Sequence, residues 1–206
     1  MTGEDKNGTD RPGALTEEQA GRMLDELNEV IRAGEQARAE RAEVIQLLAA
    51  QGWTQDRIAR LTGMSQPAVS KQMARHRDAG PGPAPDFTLD QGDAPWLEGR
   101  LWGLAEEIAE TVPGGAARCA PYVHALARGR ERFTPRGVDE LRRLVEEDLR
   151  THHGELPGEY RTAYDRISRA LDVPSGRQEP APGSPSVRRT LARRLQRDAL
   201  ADTGRP

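Results

Sequence analysis

Apolar residues return along this chain at intervals of three and four, and no stretch alternates apolar with polar in the manner of a strand. Met23, Leu24, Leu27, Val30 and Ile31 form the first such stripe. Thr16 and Gln19 precede it at the spacing of a reciprocal helix cap. The period predicts an amphipathic helix that either runs through "AGEQARAERAE" into Val44, Ile45, Leu47 and Leu48 or breaks near Gly34, and that closes at Gly52. Two short helices are expected next. Thr54 suits the cap of Gln55 to Thr62, with Ile58, Ala59 and Leu61 turned inward and Gly63 supplying the positive φ that stops it. Ser65 caps the second, and Pro67 sits in its first turn, where a missing N–H removes no helical bond. Val69 and Met73, four apart, face Ile58, Ala59, Leu47 and Leu48.

Beyond these, four more helical stripes are expected between Pro95 and Val173. One carries Trp96, Leu97, Leu101, Trp102, Leu104 and Ile108, and a short one spans Ala116 to Ala127. A third, capped by Thr134 before Pro135, carries Val138, Leu141, Leu144, Val145 and Leu149. The fourth, after Gly154 and Pro157, carries Tyr160, Tyr164, Ile167 and Leu171. Val187, Leu191, Leu195 and Ala199 mark a final basic helix. The fold class is therefore all-α. Its expected organisation is a tail over 1–15, an N-terminal helix and helix-turn-helix over 16–77, and a Gly/Pro linker over 78–93. A second helical domain over 94–173, for oligomerisation or regulation, precedes a linker over 174–185 and the basic amphipathic helix over 186–206.

Charge changes this picture by its distribution. Residues 37–77 carry seven basic and three acidic groups, and 186–206 carry six and two, in a chain whose net charge is -3. The 36 residues before the first island carry four basic and nine acidic groups. Bulk charge thus implies nothing about nucleic acid, whereas two local basic islands do. Lysine occurs only at Lys6 and Lys71, an arginine bias that suits a GC-rich bacterial genome. One cysteine permits no intrachain disulfide, and no apolar run follows Met1 as a signal or membrane span, so a cytoplasmic location and no membrane partner are expected.

With Val69 and Met73 inward, the helix after Gly63 presents Pro67, Lys71, Ala74 and Arg75, with Ser70 on the flank and Gln66 at its exposed start. Gln66 can bond adenine, Lys71 guanine acceptors or phosphate and Ser70 either base, while Pro67 and Ala74 suit thymine methyls. Arg57, Arg60, Arg75 and Arg77 are placed for phosphate oxygens. The spacing of Ala59, Gly63, Ser65 and Val69 resembles a bacterial helix-turn-helix domain. "SQPAVSKQM" resembles the recognition helix of LysR-type regulators, and "RIARLTGMSQPAVSKQMARHR" resembles region four of sigma factors and related response regulators. Both resemblances imply that this helix lies in the major groove and that Gln66, Pro67, Ser70, Lys71 and Ala74 meet the bases. They cover about a fifth of the chain. After Arg77 the Gly/Pro linker stands where a LysR-type regulator continues into its wing, and no aromatic-rich core-binding region of a sigma factor is present.

Other chemistry is weaker. Cys119 with His124, and the adjacent His152 and His153, make half-sites at best, so no metal or cofactor is expected and Cys119 reads as a core residue. Trp96, Trp102, Tyr122 and Tyr164 suit a core better than a ligand pocket. The C-terminal helix reads as a phosphate-binding arm, as a helix that docks on a protein partner, or as a solvated tail. The expected function is sequence-specific binding of double-stranded DNA by a homodimeric transcriptional regulator, without catalysis. Alternatives are a plasmid or phage protein that organises DNA in partition or transposition, and an adaptor that binds protein through the helix-turn-helix. A nuclease or recombinase would need a carboxylate cluster, for which Glu106, Glu107, Glu110, Asp139, Glu146 and Asp148 are the available acids.

Overall fold

A computed structural model describes residues 15–74, 87–173 and 182–203, all of them helix or connection with no strand. The helices are α1 (Glu17–Ala50), α2 (Gln55–Thr62), α3 (Gln66–Ala74), α4 (Ala94–Thr111), α5 (Ala120–Ala127), α6 (Pro135–Thr151), α7 (Gly158–Leu171) and α8 (Pro185–Thr203). Two compact units divide inside α1, Met1–Ala37 and Arg38–Pro206. Among the described residues no helix is long and apolar enough to cross a membrane.

α1 opens on the reciprocal cap its sequence promises. The Thr16 N–H donates to Gln19 Oε1 at 2.9 Å, and the Gln19 N–H donates to Thr16 Oγ1 at 3.2 Å. The helix then passes Gly34 without a break. In the first unit its stripe is exposed: Met23, Leu24, Leu27, Val30 and Ile31 are each 53% to 69% accessible.

In the second unit α4 forms the spine. Leu101, Leu104, Ala105 and Ile108 are buried with Val123 and Leu126 of α5, Val138, Leu141, Val145 and Leu149 of α6, and Tyr160, Tyr164 and Ile167 of α7. Tyr164 is buried in this core and Trp102 and Tyr122 pack against it, whereas Trp96 is buried beneath Phe87. Asp148, fully buried on α6, accepts the backbone N–H groups of Arg118 at 2.7 Å and Cys119 at 2.9 Å. It thereby caps α5, whose own first residues supply no capping side chain. Cys119 is a core residue, its thiol donating to the Ala105 carbonyl at 3.4 Å. Burial and the Asp148 carboxylate push that thiol well above its ordinary range, which leaves it inert. α5 begins at Ala120, four residues later than its sequence suggests, after Gly114 and Gly115 turn the chain at positive φ.

The basic C-terminal helix is neither a free arm nor a solvated tail, because α4 pairs three of its arginines, while Arg194 stays exposed beside Asp198. Arg189 pairs with Glu98 at 2.6 Å and Arg193 with Glu106 at 2.6 Å. Arg197 reaches Glu107 at 2.6 Å and Glu110 at 2.7 Å. Two glycines on α4 permit this approach. A methyl group at Gly99 would collide with the Arg189 backbone, and one at Gly103 with the Arg193 carbonyl. Among the described helices α4 and α8 make the most extensive contact, with Val187, Ala192, Gln196 and Leu200 buried.

Of the segment expected as linker, residues 78–86 lie outside the described residues, whereas 87–93 pack on α4. Phe87 stacks on Trp96 with ring centroids 6.2 Å apart. The Leu89 carbonyl accepts from buried Arg100 at 2.5 Å, and Arg100 also donates to Gln196 at 3.0 Å. Burial, with Arg166 adding a like charge, pulls the Arg100 guanidinium down to about 10 despite the opposing pull of Asp90. Asp93 caps α4 through the Trp96 N–H and pairs with Arg188 at 3.3 Å.

Candidate nucleic-acid interface

α2 and α3 stand on a small core of Ile45, Ile58, Ala59 and Val69, flanked by Leu48, Ala49, Trp53, Met64 and Met73. α1 provides Ile45, so its C-terminal half is the first helix of a three-helix unit. The turn between α2 and α3 follows the local chemistry. Thr54 sits extended at φ -72°, ψ 148° and accepts the Arg57 N–H at 3.3 Å. Gly63 is left-handed at φ 64°, ψ 19°, and the following Met64 N–H donates back to the Ala59 carbonyl at 3.1 Å. Ser65 then caps α3, its hydroxyl accepting the Ala68 N–H at 3.4 Å.

One expectation on α2 is corrected. Leu61 points outward and is 67% exposed. At 100° per residue it lies about 110° from the midpoint of Ile58 and Ala59, which sets it outside a buried face only two residues wide.

α3 sorts its side chains as its period demands. Val69 is fully buried and Met73 packs beside it, whereas Gln66, Pro67, Lys71 and Ala74 are exposed and Ser70 is half-buried. The five residues expected to meet bases therefore share the outward side of one short helix. Arg75 and Arg77, expected at phosphates, lie outside the described residues, as does His76.

On α2 the two remaining arginines are held differently. The Arg57 guanidinium stacks 3.6 Å above the Trp53 ring, which uses its face and leaves its in-plane N–H donors available. Arg60 pairs with Asp56 at 3.1 Å, but both side chains are more than 60% exposed, so the pair holds Arg60 only weakly. Trp53, which holds the Arg57 guanidinium against its ring, is not among the residues expected from the sequence. Its signal was the four-residue spacing to Arg57.

Two of the three acids in residues 37–77 are occupied elsewhere, the third being Asp56 beside Arg60. Glu43 accepts the Ser184 N–H at 2.8 Å, and Glu40 accepts the hydroxyls of Ser186 and Thr190, so both carboxylates face the start of α8. That is the end of a helix that favours negative charge. Arg38 and Arg41 of α1 are exposed and, like Lys71, form no ion pair among the described residues. They were counted as charge in the sequence but given no role. With Glu40 and Glu43 turned to α8, the exposed cations Arg38, Arg41, Arg57 and Lys71 outnumber the one remaining acid, Asp56, which pairs with Arg60.

Of the six candidate carboxylates, Glu106, Glu107 and Glu110 are paired by α8, Glu146 by Arg161 at 2.8 Å and Asp148 caps α5, while Asp139 is exposed with Arg142 at 3.7 Å. Among the described residues no group of three His, Cys, Asp or Glu is arranged to hold a metal ion.

Residues 35–85 match the family model of the homeodomain-like domain. The match spans the C-terminal half of α1, α2 and α3, the three helices that build the core around Ile58. Comparison with curated proteins and with solved structures gives no match.

Proposed function

We propose that this chain is a sequence-specific DNA-binding protein, a bacterial transcriptional regulator that inserts the helix beginning at Gln66 into the major groove. One observation carries the reading. A left-handed Gly63 turn sets α3 with Val69 in the core and Gln66, Pro67, Lys71 and Ala74 facing out. A buried apolar face opposite a polar, donor-bearing one is the arrangement by which a helix reads base edges. A homeodomain-like match over the same residues supports it. Ser70, half-buried, meets a base from the flank. Arg57 and Arg60 meet phosphates, as do Arg75 and Arg77 in the segment that follows. The protein acts by binding, without catalysis, in the cytoplasm.

Lys71→Ala is expected to weaken binding to a selected site by about 1 to 3 kcal/mol and to relax preference at one base pair. Titration against selected and random duplexes decides this, and an equal loss on both sequences rejects Lys71 as a base contact.

A single α3 offers few base contacts, and such units gain affinity by reading two half-sites as a dimer. We assign the contact to the exposed stripe Met23, Leu24, Leu27, Val30 and Ile31, which a second copy would match in kind and length. Sedimentation is expected to show a dimer for the intact chain and a monomer for a chain starting at Gln36. A monomeric intact chain rejects the dimer, and a shortened chain that stays dimeric moves the contact into residues 94–173.

A further inference from the structure

Between α5 and α6 the chain reads "RGRERFTPR", Arg128 to Arg136, with four arginines and one acid in nine residues. All four arginines are exposed, and among the described residues none of them forms an ion pair. Arg100, Arg150, Arg166 and Arg169 likewise form no ion pair among the described residues, but they are dispersed along helices, whereas the loop's four fall within nine residues. Arg118, Arg142, Arg143, Arg161, Arg188, Arg189, Arg193 and Arg197 each have a carboxylate within 4 Å.

The loop is held in place by its backbone. Gly129 is left-handed at φ 69°; its N–H donates to the Leu126 carbonyl at 3.0 Å, and the Arg130 N–H donates to Ala125 at 2.9 Å. That pair of bonds is a Schellman close of α5, and it fixes Arg128 and Arg130 on either side of the turn. Arg128 and Arg130 favour the C-terminal end of α5, but Arg136 stands in the first turn of α6, where the helix dipole opposes a cation. Helix electrostatics therefore accounts for only part of the cluster. Along its own helix the nearest acids to Arg136 are Asp139, which lies 3.7 Å from Arg142, and Glu140, which is bound by Arg143 at 2.7 Å. The one aromatic residue here, Phe133, is turned against Trp102 and covered by Arg189, so the loop offers charge without an exposed apolar anchor.

We propose that the α5–α6 loop is a second, sequence-blind contact for the phosphates of a nucleic acid backbone, made by Arg128, Arg130, Arg132 and Arg136. A protein partner would require desolvated apolar contacts at the centre of its footprint, which this loop lacks, whereas a run of phosphates requires only spaced donors. The proposal deepens the DNA-binding reading by giving the second domain a role in affinity while leaving sequence preference to α3.

The test uses the full chain and a random duplex of 30 base pairs over a series of salt concentrations. Replacing the four arginines by glutamine should reduce the slope of log affinity on log salt by about three to four, at about 0.9 per phosphate lost. Replacing them by lysine should restore most of the slope, which a loss of folding would not allow. The thermal transition should stay at its wild-type position in both variants. In parallel, Gly63→Val should keep the loop's share of random-duplex binding. A glutamine variant with wild-type affinity and slope overturns the proposal and leaves the α3 reading standing. A glutamine variant that loses binding, beside a Gly63→Val chain that recognises its selected site normally, keeps the proposal and rejects the α3 reading. Failure of every chain to bind duplex rejects both. Loss of binding to polyglutamate, with duplex binding intact, overturns the proposal in favour of an acidic protein partner.

Discussion

Gly99→Ala is expected to destabilise the second unit by about 2 to 3 kcal/mol, the upper part of the range for overpacking a close contact. The sign is informative, since the same change in an exposed helix interior gains up to about 1 kcal/mol from helix propensity and a stiffer unfolded chain. At Gly99 the added methyl group meets the Arg189 carbonyl oxygen, Cα and carbonyl carbon, none of which can rotate away as a side-chain tip would. α8 must lift, and the pairs Arg189–Glu98 and Arg193–Glu106 lengthen with it. Changing Gly103 as well should detach the helix. Urea unfolding measures the effect, and a Gly99→Ala protein as stable as the wild type rejects the close crossing.

Gly63→Val should lower affinity for the selected DNA site about a hundredfold, while the helices α4 to α7 keep their melting transition. Space is not the obstacle at Gly63, where an added Cβ meets nothing within 4 Å. The obstacle is φ of 64°, which costs a β-branched residue about 2 to 3 kcal/mol. If the turn relaxes to escape that strain, the competent orientation of α3 becomes the minor one by about the same factor. Gly63→Asn should then bind within a few-fold of wild type, since asparagine enters the left-handed region readily. Filter binding of the two variants separates this cause from crowding. Equal losses would show that the side chain's size, not the dihedral angle, is at fault.

These two glycines also mark how far the sequence could be read. Gly63 announces itself locally, because Thr54, Ser65, Ile58 and Val69 lie within a dozen residues and each constrains the same turn. The caps at Thr16, Thr54 and Thr134 were legible for the same reason. Gly99 did not announce itself. Its partner Arg189 lies 90 residues away, and helical periodicity reports which face is buried without saying what buries it. A signal existed in matched rows, with Glu98, Glu106 and Glu110 on α4 and Arg189, Arg193 and Arg197 on α8. Read as charge alone, the second row suggested an arm for phosphates. Leu61 failed on a smaller scale, because in an eight-residue helix with two buried positions one extra apolar residue need not face the core.

The seating of α8 on α4 has a further consequence for how the chain is made. α8 is the last of the described helices to leave the ribosome, yet it covers a glycine-faced side of the helix at the centre of the core. From the emergence of Thr111 until Thr203 is clear of the exit tunnel, the Gly99–Gly103 side of α4 waits without the backbone it was built to meet. Glu98, Glu106 and Glu110 keep that waiting surface acidic and hydrated, so a nascent chain carries it through synthesis with less exposure to aggregation than an apolar groove would bring. The final packing of this unit is thus a late, long-range event, and synthesis, not local helix formation, sets when it can occur.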